Sequence, residues 1–278
     1  MGGPNEPRIP SPLGRGVVNS LQNPLVKEIR KLHSAKERHS KQMFLLEGTH
    51  LVLEACAVGY PVETVCYTAQ WQERYPEVWQ EVSQRARREQ IVSLEVLKAI
   101  ATTVHPDGVV AVAKRLQMPF PTVPTSLALG LETIQDPGNL GTIIRTAAAA
   151  GATGLWVSAD SVDLDHPKVL RASAGQWFRM RLAAGEDLLS LVQSCQQQGM
   201  QAIATVPDAN LTYWEIDWNQ PSLILLGNEG AGLSAELVAL TDRQVRIPLS
   251  PGVESLNVAI AAALILYEAR RQRETREF

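Results

Sequence analysis

Short apolar runs alternate with helical patterns through the second half of the chain, and this alternation limits the fold to the α/β class. Strands are predicted at residues 126–131, 154–157, 202–206, 223–226 and 245–247. Helices are predicted at residues 140–150, 167–174, 187–198, 235–240 and 256–270. The expected architecture is a mostly parallel sheet with helices on both faces.

The first half predicts a smaller α/β domain. One basic amphipathic helix is expected over residues 25–40, strands at 43–47, 62–68 and 109–115, and further helices at 48–58 and 77–90. Three prolines between residues 117 and 126 stiffen the chain and mark a boundary. We therefore predict a disordered leader at 1–19, a first domain at 20–117, a proline-rich linker at 118–125, a second domain at 126–272 and a tail at 273–278.

Composition excludes several classes of protein. A net charge of -3 gives no overall signature of nucleic-acid binding, so an RNA partner would be held by local basic patches. The apolar run at residues 258–267 is shorter than the roughly 20 residues that span a bilayer. Cys56, Cys66 and Cys195 lack metal-ligand spacing. We expect a protein of the reducing cytoplasm, with no membrane segment and no metal site.

Polar and glycine-rich segments follow predicted strands, where open α/β sheets collect ligand sites. In residues 136–145, Asn139 is placed to cap the next helix and Arg145 lies further along it, which suits a solvated helix as well as an active site. Residues 226–233 lack the Lys-Ser/Thr ending of a phosphate loop and the glycine spacing of a dinucleotide fingerprint. They suit a tight turn or a backbone surface for a flat ligand equally well.

A third segment decides between these alternatives, because Ile247-Pro248-Leu249 and Glu254-Ser255-Leu256-Asn257 follow in order and lead into an alanine-rich helix. Together the three segments resemble the SpoU (TrmH-like) family of RNA ribose 2′-O-methyltransferases, within the SPOUT superfamily, over about residues 126–270. Phe44-Leu45-Leu46-Glu47-Gly48 resembles the start of the ribosomal-protein-like substrate-binding domain that many of these enzymes carry. An ordinary strand-to-helix turn is the alternative for that segment.

The resemblance implies a C-terminal trefoil knot that holds S-adenosylmethionine. Because this donor is a sulfonium that carries its own leaving group, the protein needs no covalent nucleophile and no metal. The residues implied in the cofactor pocket are Thr205, Val206, Leu226, Gly227, Asn228, Glu229, Gly230, Ile247, Leu249, Leu256 and Asn257.

The resemblance also implies that Arg145 activates the ribose, while Asn139, Glu229, Ser255 and Asn257 orient Arg145, the cofactor or the ribose. A guanidinium stays protonated in proteins. We therefore expect Arg145 to hold a phosphate of the acceptor and to stabilise developing alkoxide charge, while the proton leaves to water or to RNA phosphate. An ion pair between Glu229 and Arg145 is the alternative for these two side chains.

Partners follow from the same resemblance. We expect a homodimer. RNA is expected to contact Arg171 and three residues of the basic helix, Arg30, Lys31 and Arg38. The alternative for the basic helix is a solvated surface without an RNA partner. The expected substrate is large-subunit ribosomal RNA, because the upstream domain resembles those of ribosomal RNA enzymes. The alternatives are ribose methylation of transfer RNA, methylation of a base nitrogen, and RNA binding without catalysis.

Overall fold

The computed structural model describes residues 16–116, 126–185 and 187–274, which form two compact units on either side of residues 117–125. The predicted linker at 118–125, most of the predicted leader and residues 275–278 of the predicted tail lie outside the described residues.

Over residues 16–116, the first unit is a four-stranded sheet with six α-helices. Its helices are α1 (Pro24–Lys31), α2 (Ala35–Lys41), α3 (Thr49–Ala57), α4 (Ala69–Arg74), α5 (Pro76–Arg85) and α6 (Leu94–Ile100). Its strands are β1 (Met43–Glu47), β2 (Val62–Tyr67), β3 (Ala86–Ile91) and β4 (Val109–Lys114), in the order β1-β4-β2-β3. Strand β4 is antiparallel to both neighbours, and β3 is parallel to β2.

The single basic helix predicted over residues 25–40 is wrong, because α1 ends at Lys31 and α2 begins at Ala35. Leu32 is buried in the core between them. Arg38 is 1% exposed, and its guanidinium donates to the carbonyl oxygens of Leu32 (3.2 Å) and His33 (3.1 Å). Those carbonyls have no helical partner where α1 ends, so Arg38 satisfies them.

The helix predicted over residues 77–90 is also partly wrong. Helix α5 ends at Arg85, and the next six residues form β3 along β2. Pairing with a neighbouring strand overrides the weak local preference of this charged segment. Residues 16–19 of the predicted disordered leader are described, and Val18 pairs there with Val92, so the predicted boundary at residue 19 lies too far along the chain.

The second unit is a seven-stranded sheet in which every strand pair is parallel. Its strands are β5 (Leu127–Leu131), β6 (Gly154–Val157), β7 (Leu182–Ala184), β8 (Gln201–Thr205), β9 (Leu211–Thr212), β10 (Ser222–Leu226) and β11 (Arg243–Arg246). Their order is β7-β6-β5-β10-β8-β11-β9. The parallel sheet is confirmed, and β7 and β9 are short strands that the sequence did not reveal.

Helices cover both faces of this sheet, as predicted. They are α7 (Pro137–Ala149), α8 (Pro167–Ala172), α9 (Leu188–Gln197), α10 (Ala235–Ala239) and α11 (Val258–Glu274). One core packs α7, α8 and α11 against residues such as Leu129 and Ile224, and the other packs α9 and α10 against Leu223 and Leu225. Helix α11 runs to Glu274, past the predicted domain end at 272.

None of the helices within the described ranges is long and apolar enough to cross a bilayer. The trefoil knot stays a prediction.

Candidate active site

The candidate site lies at the carboxyl ends of four neighbouring strands of the second unit. Parallel strands bring their carboxyl ends to one edge of a sheet, which is where ligands bind in open α/β folds. The first predicted segment follows β5, the second follows β10 and the third follows β11. Because β5, β10, β8 and β11 are adjacent in that order, the three segments meet at this edge.

Two side-chain hydrogen bonds join the three segments through Asn139. Its Nδ2 donates to Oε1 of Glu229 over 3.0 Å, and its Oδ1 accepts from Nδ2 of Asn257 over 2.9 Å. Asn257 in turn accepts from the backbone N–H of Ala259 over 2.9 Å, where α11 begins. The structure thus brings together three of the five predicted catalytic residues.

Asp136, rather than Asn139, caps helix α7. The Asp136 carboxylate accepts from the backbone N–H of Asn139 over 2.9 Å, and Pro137 occupies the first turn. This hydrogen bond, with help from Lys168, lowers the pKa of Asp136. The Asn139 side chain is therefore free for the two bonds that cross between segments, and its interpretation as a simple helix cap is wrong.

Glu229 is held by donors from the first segment and from the residue before it. Besides the Asn139 amide, the backbone N–H groups of Asp136 (3.3 Å) and Gln135 (3.4 Å) point to its carboxylate. Partial burial alone would raise the pKa of Glu229, but these hydrogen bonds hold that pKa below its ordinary value. Glu229 is therefore a charged acceptor that orients the Asn139 amide.

Arg145 stands apart from this network. It is exposed on α7 and has no hydrogen bond or ion pair within the part of the chain that the structure describes. The ion pair with Glu229 that the sequence left open is therefore not formed. Its guanidinium keeps all five N–H donors available for a substrate group.

The glycine-rich segment after β10 is a closed turn. The backbone groups of Asn228 and Gly232 bond to each other in both directions at 3.0 Å. The Asn228 side chain accepts from the N–H groups of Gly230 and Ala231 at 2.9 Å and donates to the carbonyl of Thr133 at 2.8 Å. The Asn228 amide thus fixes the turn from inside and fastens it to the segment after β5.

Gly227 allows this turn to close. A Cβ at position 227 would lie 2.1 to 2.3 Å from the backbone of Gly232 and Leu233, a distance that no side chain tolerates. The glycine is required by the close approach of two backbone segments.

A pocket opens beside this turn. It is lined by Thr205, Val206, Pro207, Leu226, Gly227, Asn228, Glu229, Gly230, Gly232, Ile247, Leu249, Glu254, Ser255, Leu256, Val258 and Ala261. Ten of the eleven residues predicted for the cofactor pocket are in this lining, and Ser255 joins them. Asn257 is outside the lining, and its side chain bonds to Asn139.

The lining includes one buried polar atom without a partner. Oγ1 of Thr205, at the end of β8, is buried and has no hydrogen-bond partner among the described residues. Such an atom costs free energy unless a ligand or water satisfies it. The apolar and glycine surfaces with a few polar groups also suit an adenosine-containing ligand bound largely through backbone contacts.

Two supporting contacts were missed at the level of sequence. The Glu132 carboxylate accepts from the backbone N–H and the hydroxyl of Ser234, each at 2.7 Å, and so ties the end of β5 to the start of α10. Lys168 Nζ lies 3.2 Å from Oδ2 of Asp136. Both contacts link residues that are far apart in sequence, so local patterns could not predict them. The one sequence feature that marks Glu132 as a candidate is its position directly after an apolar strand.

The predicted RNA contacts have different surroundings. Arg30 is exposed on α1, whereas Lys31 pairs with Glu28 at 2.7 Å on the same surface. Arg38 is buried, so its assignment as an RNA contact is wrong. Lys27 is exposed on α1 one turn from Arg30. Arg171 is half-buried on α8.

No group of three or more potential metal ligands occurs within the described residues. All three cysteines are free and buried, and burial raises the pKa of the Cys66 thiol to about 12. Thiolate chemistry therefore has no support in this structure.

Two family models match this chain. Residues 126–267 match the SpoU rRNA Methylase family, and residues 23–111 match the MRM3-like substrate binding domain. These matches fall on the second and first structural units respectively.

Similar proteins match over nearly the whole chain. An uncharacterized tRNA/rRNA methyltransferase of Synechocystis is 49% identical over 92% of this chain and 93% of its own. RlmP of Bacillus subtilis, a 23S rRNA (guanosine(2553)-2′-O)-methyltransferase, is 34% identical over 91% of this chain and 98% of its own. The AdoMet-bound rRNA methyltransferase from Sinorhizobium meliloti superposes with a TM-score of 0.81 at 33% identity, over 92% of this chain and 97% of that one.

Proposed function

Because the chain belongs to the SpoU rRNA methylase family, we propose that it transfers a methyl group from S-adenosylmethionine to a ribose 2′-hydroxyl of large-subunit ribosomal RNA. The observation that supports this most strongly is the pair of hydrogen bonds that joins Glu229, Asn139 and Asn257 beside the pocket. The name of RlmP supports ribosomal RNA as the substrate, and the match to a substrate-binding domain supports an RNA-contacting first unit.

The pocket residues are suited to hold the cofactor. When bound, S-adenosylmethionine supplies a methyl group from its sulfonium sulfur, and the rest of the cofactor leaves as a neutral thioether. The closed turn from Gly227 to Gly232 offers backbone groups, while Ile247, Leu249 and Leu256 offer apolar surface for a flat ring. The Thr205 hydroxyl, which has no partner among the described residues, would gain a hydrogen bond from the cofactor.

The acceptor side is formed by Arg145 and Asn139. Arg145 binds a phosphate of the acceptor strand and stabilises negative charge as the 2′-oxygen loses its proton to water or to RNA phosphate. Asn139, held by Glu229 and Asn257, orients the ribose relative to the pocket, which is the principal task when the donor carries its own leaving group. Ser255 lines the pocket next to Asn257 and contacts the cofactor or the ribose.

RNA binding and assembly complete the proposal. The first unit contacts RNA through Arg30 and Lys31 of α1, together with the exposed Lys27, and the second contacts RNA through Arg171. Apolar side chains of α11 that are exposed in the single chain form a homodimer interface. The three free cysteines are consistent with a reducing cytoplasm.

Methyl transfer to an unmodified large-subunit rRNA transcript tests the activity. The purified chain is incubated with labelled S-adenosylmethionine, and the digested RNA is analysed for the position of the label. A 2′-O-methyl nucleoside, absent when the target ribose is replaced by deoxyribose, is the expected product. A methylated base, a preference for transfer RNA, or RNA binding without transfer would each contradict the proposal.

Replacing Arg145 tests the mechanism. We expect Arg145→Ala to lower the rate of methyl transfer by about 10²- to 10³-fold, because it removes a cation that acts on the transition state. Cofactor affinity, measured by calorimetry, should stay within twofold of the wild type, because Arg145 is outside the pocket lining. Arg243→Ala is the matched control, since Arg243 is exposed at the amino end of β11 on the opposite edge of the sheet. Undiminished turnover by Arg145→Ala would overturn the assignment.

A further inference from the structure

Lys168 is the last lysine in the sequence, and the one before it is Lys114. It lies in the first turn of α8, which packs against α7. No motif of the sequence singled it out, and the proposed mechanism does not use it.

Lys168 is connected through Asp136 to Asn139, the residue proposed to orient the ribose. Its Nζ lies 3.2 Å from Oδ2 of Asp136, and Oδ1 of Asp136 accepts from the backbone N–H of Asn139 over 2.9 Å. The backbone N–H of Asp136 also points to Glu229. Lys168 therefore borders the residues that join the three segments.

The order of strands defines the direction in which Lys168 lies. The pocket occupies the carboxyl ends of β10, β8 and β11, Asn139 follows the neighbouring β5, and Lys168 follows β6, one strand further from the pocket. The spatial order along this edge of the sheet is therefore the cofactor pocket, then Asn139, then Lys168. An RNA strand with its target ribose beside Asn139 would bring an adjacent phosphate to Lys168.

The lysine side chain is accessible for such a contact. The side chains of Lys168 and Asp136 are 52% and 48% exposed, so their ion pair contributes little to stability. A Cβ on Gly138 would lie 3.2 Å from Cε and 3.4 Å from Nζ of Lys168, so the glycine leaves room for this side chain across the start of α7. An ammonium has three N–H donors, of which Asp136 engages one.

From this arrangement we propose that Lys168 binds a backbone phosphate of the RNA beside the ribose that accepts the methyl group. Asp136 holds the ammonium in position before RNA binds, and the phosphate then shares or replaces Asp136 as its partner. The contact rests on the proposed function for its ribose, but binding of RNA can be measured without any methyl transfer.

Replacing Lys168 tests the contact. With a large-subunit rRNA transcript as the probe, Lys168→Ala should raise the KM for RNA by about tenfold, as expected for loss of a hydrogen bond to a charged group. The kcat at saturating RNA and the affinity for S-adenosylmethionine should stay unchanged. The slope of log affinity for RNA against log salt should fall by about 0.7 to 0.9, the contribution of one phosphate contact. Lys168→Arg should restore most of the affinity, and Arg243→Ala should change none of these values.

A purely structural role gives a different result. If Lys168 only fixes α7, Lys168→Ala lowers kcat and thermal stability while the KM for RNA and the salt slope stay unchanged, and the proposal is wrong. If the wild type binds RNA but transfers no methyl group, the proposed function fails while the salt slope still tests the contact.

Chemical labelling tests the same contact without a substitution. Because no lysine other than Lys168 follows Lys114, one peptide reports acetylation of its half-exposed amine by mass spectrometry. The RNA transcript should protect Lys168 from acetylation, whereas S-adenosylmethionine alone should not. Equal labelling with and without bound RNA would overturn the proposal.

Discussion

At the residue scale, the wall of the pocket depends on Gly227. Its neighbour across the turn is backbone, which cannot move aside as a flexible side chain can. The sequence showed three glycines within six residues but could not rank them, because the ranking depends on what each one faces. A Cβ at position 230 would lie 3.6 Å from its nearest neighbour, Oδ1 of Asn228, which is ordinary contact.

We therefore expect Gly227→Ala and Gly230→Ala to differ. At position 227 the added methyl group forces the turn apart at a cost of about 1–3 kcal/mol, and cofactor affinity falls by about tenfold or more as the wall is displaced. At position 230 the affinity should change less than about threefold. Calorimetric titration with S-adenosylmethionine measures the affinity of both variants. Equal losses of affinity would show that the close backbone approach at Gly227 does not determine the pocket wall.

Asn139 illustrates what the sequence could establish at this scale and what it could not. Its presence in the site was predicted from resemblance, and the structure brings it to Glu229 and Asn257. Its alternative interpretation as a helix cap could not be excluded beforehand, because Asp136 and Asn139 are both good capping residues at the start of the same helix. The structure excludes it, since the carboxylate of Asp136 takes the capping position.

At the element scale, local patterns predicted most helices and strands but failed where tertiary contacts decide. The break between α1 and α2 has a sequence signal, Ser34 followed three residues later by Glu37, which is typical of a helix start. The prediction of one continuous helix gave more weight to the run of basic residues than to this signal. Strand β3 has no comparable signal, because its six residues are held by pairing with β2.

The end of α2 offers a stability prediction at this scale. Gln42 closes the helix in the left-handed conformation, with φ of 52°, where a side chain is strained and glycine is not. We expect Gln42→Gly to raise the free energy of unfolding of the protein by about 0.5–1 kcal/mol. Gln42→Ala is the control, because it also loses the side-chain bond to the His39 carbonyl but keeps the strain. Denaturant titration should show a higher free energy of unfolding for Gln42→Gly alone. A similar rise for Gln42→Ala would show that relief of backbone strain is not the cause.

At the scale of the whole molecule, the alternation of strands and helices predicted a parallel sheet covered on both faces. It could not predict the strand order, because β5 and β10 pair although a long stretch of chain separates them. That order nevertheless creates the site, since it places the ends of β5, β10, β8 and β11 side by side. Resemblance supplied this long-range information where local patterns had none.

The proposed homodimer belongs to the same scale, and α11 is its candidate interface. Ile260, Leu264 and Tyr267 recur on one face of this helix and are 51%, 38% and 50% exposed in the single chain. Water contact with such a stripe is unfavourable, and a second copy of the chain would cover it. We expect Ile260→Glu and Leu264→Glu to convert a dimer into a monomer, because each buries an unpaired charge in the interface.

Sedimentation equilibrium measures this change as a halving of the mass. The control is Val104→Glu, which changes an apolar residue that is 81% exposed in a loop of the first unit and should leave the mass unchanged. Cofactor affinity of the monomeric variants then indicates whether one subunit forms a complete pocket, since Val258 and Ala261 of α11 line it. A wild type that is already monomeric, or a glutamate variant that remains dimeric, would show that α11 is not the interface.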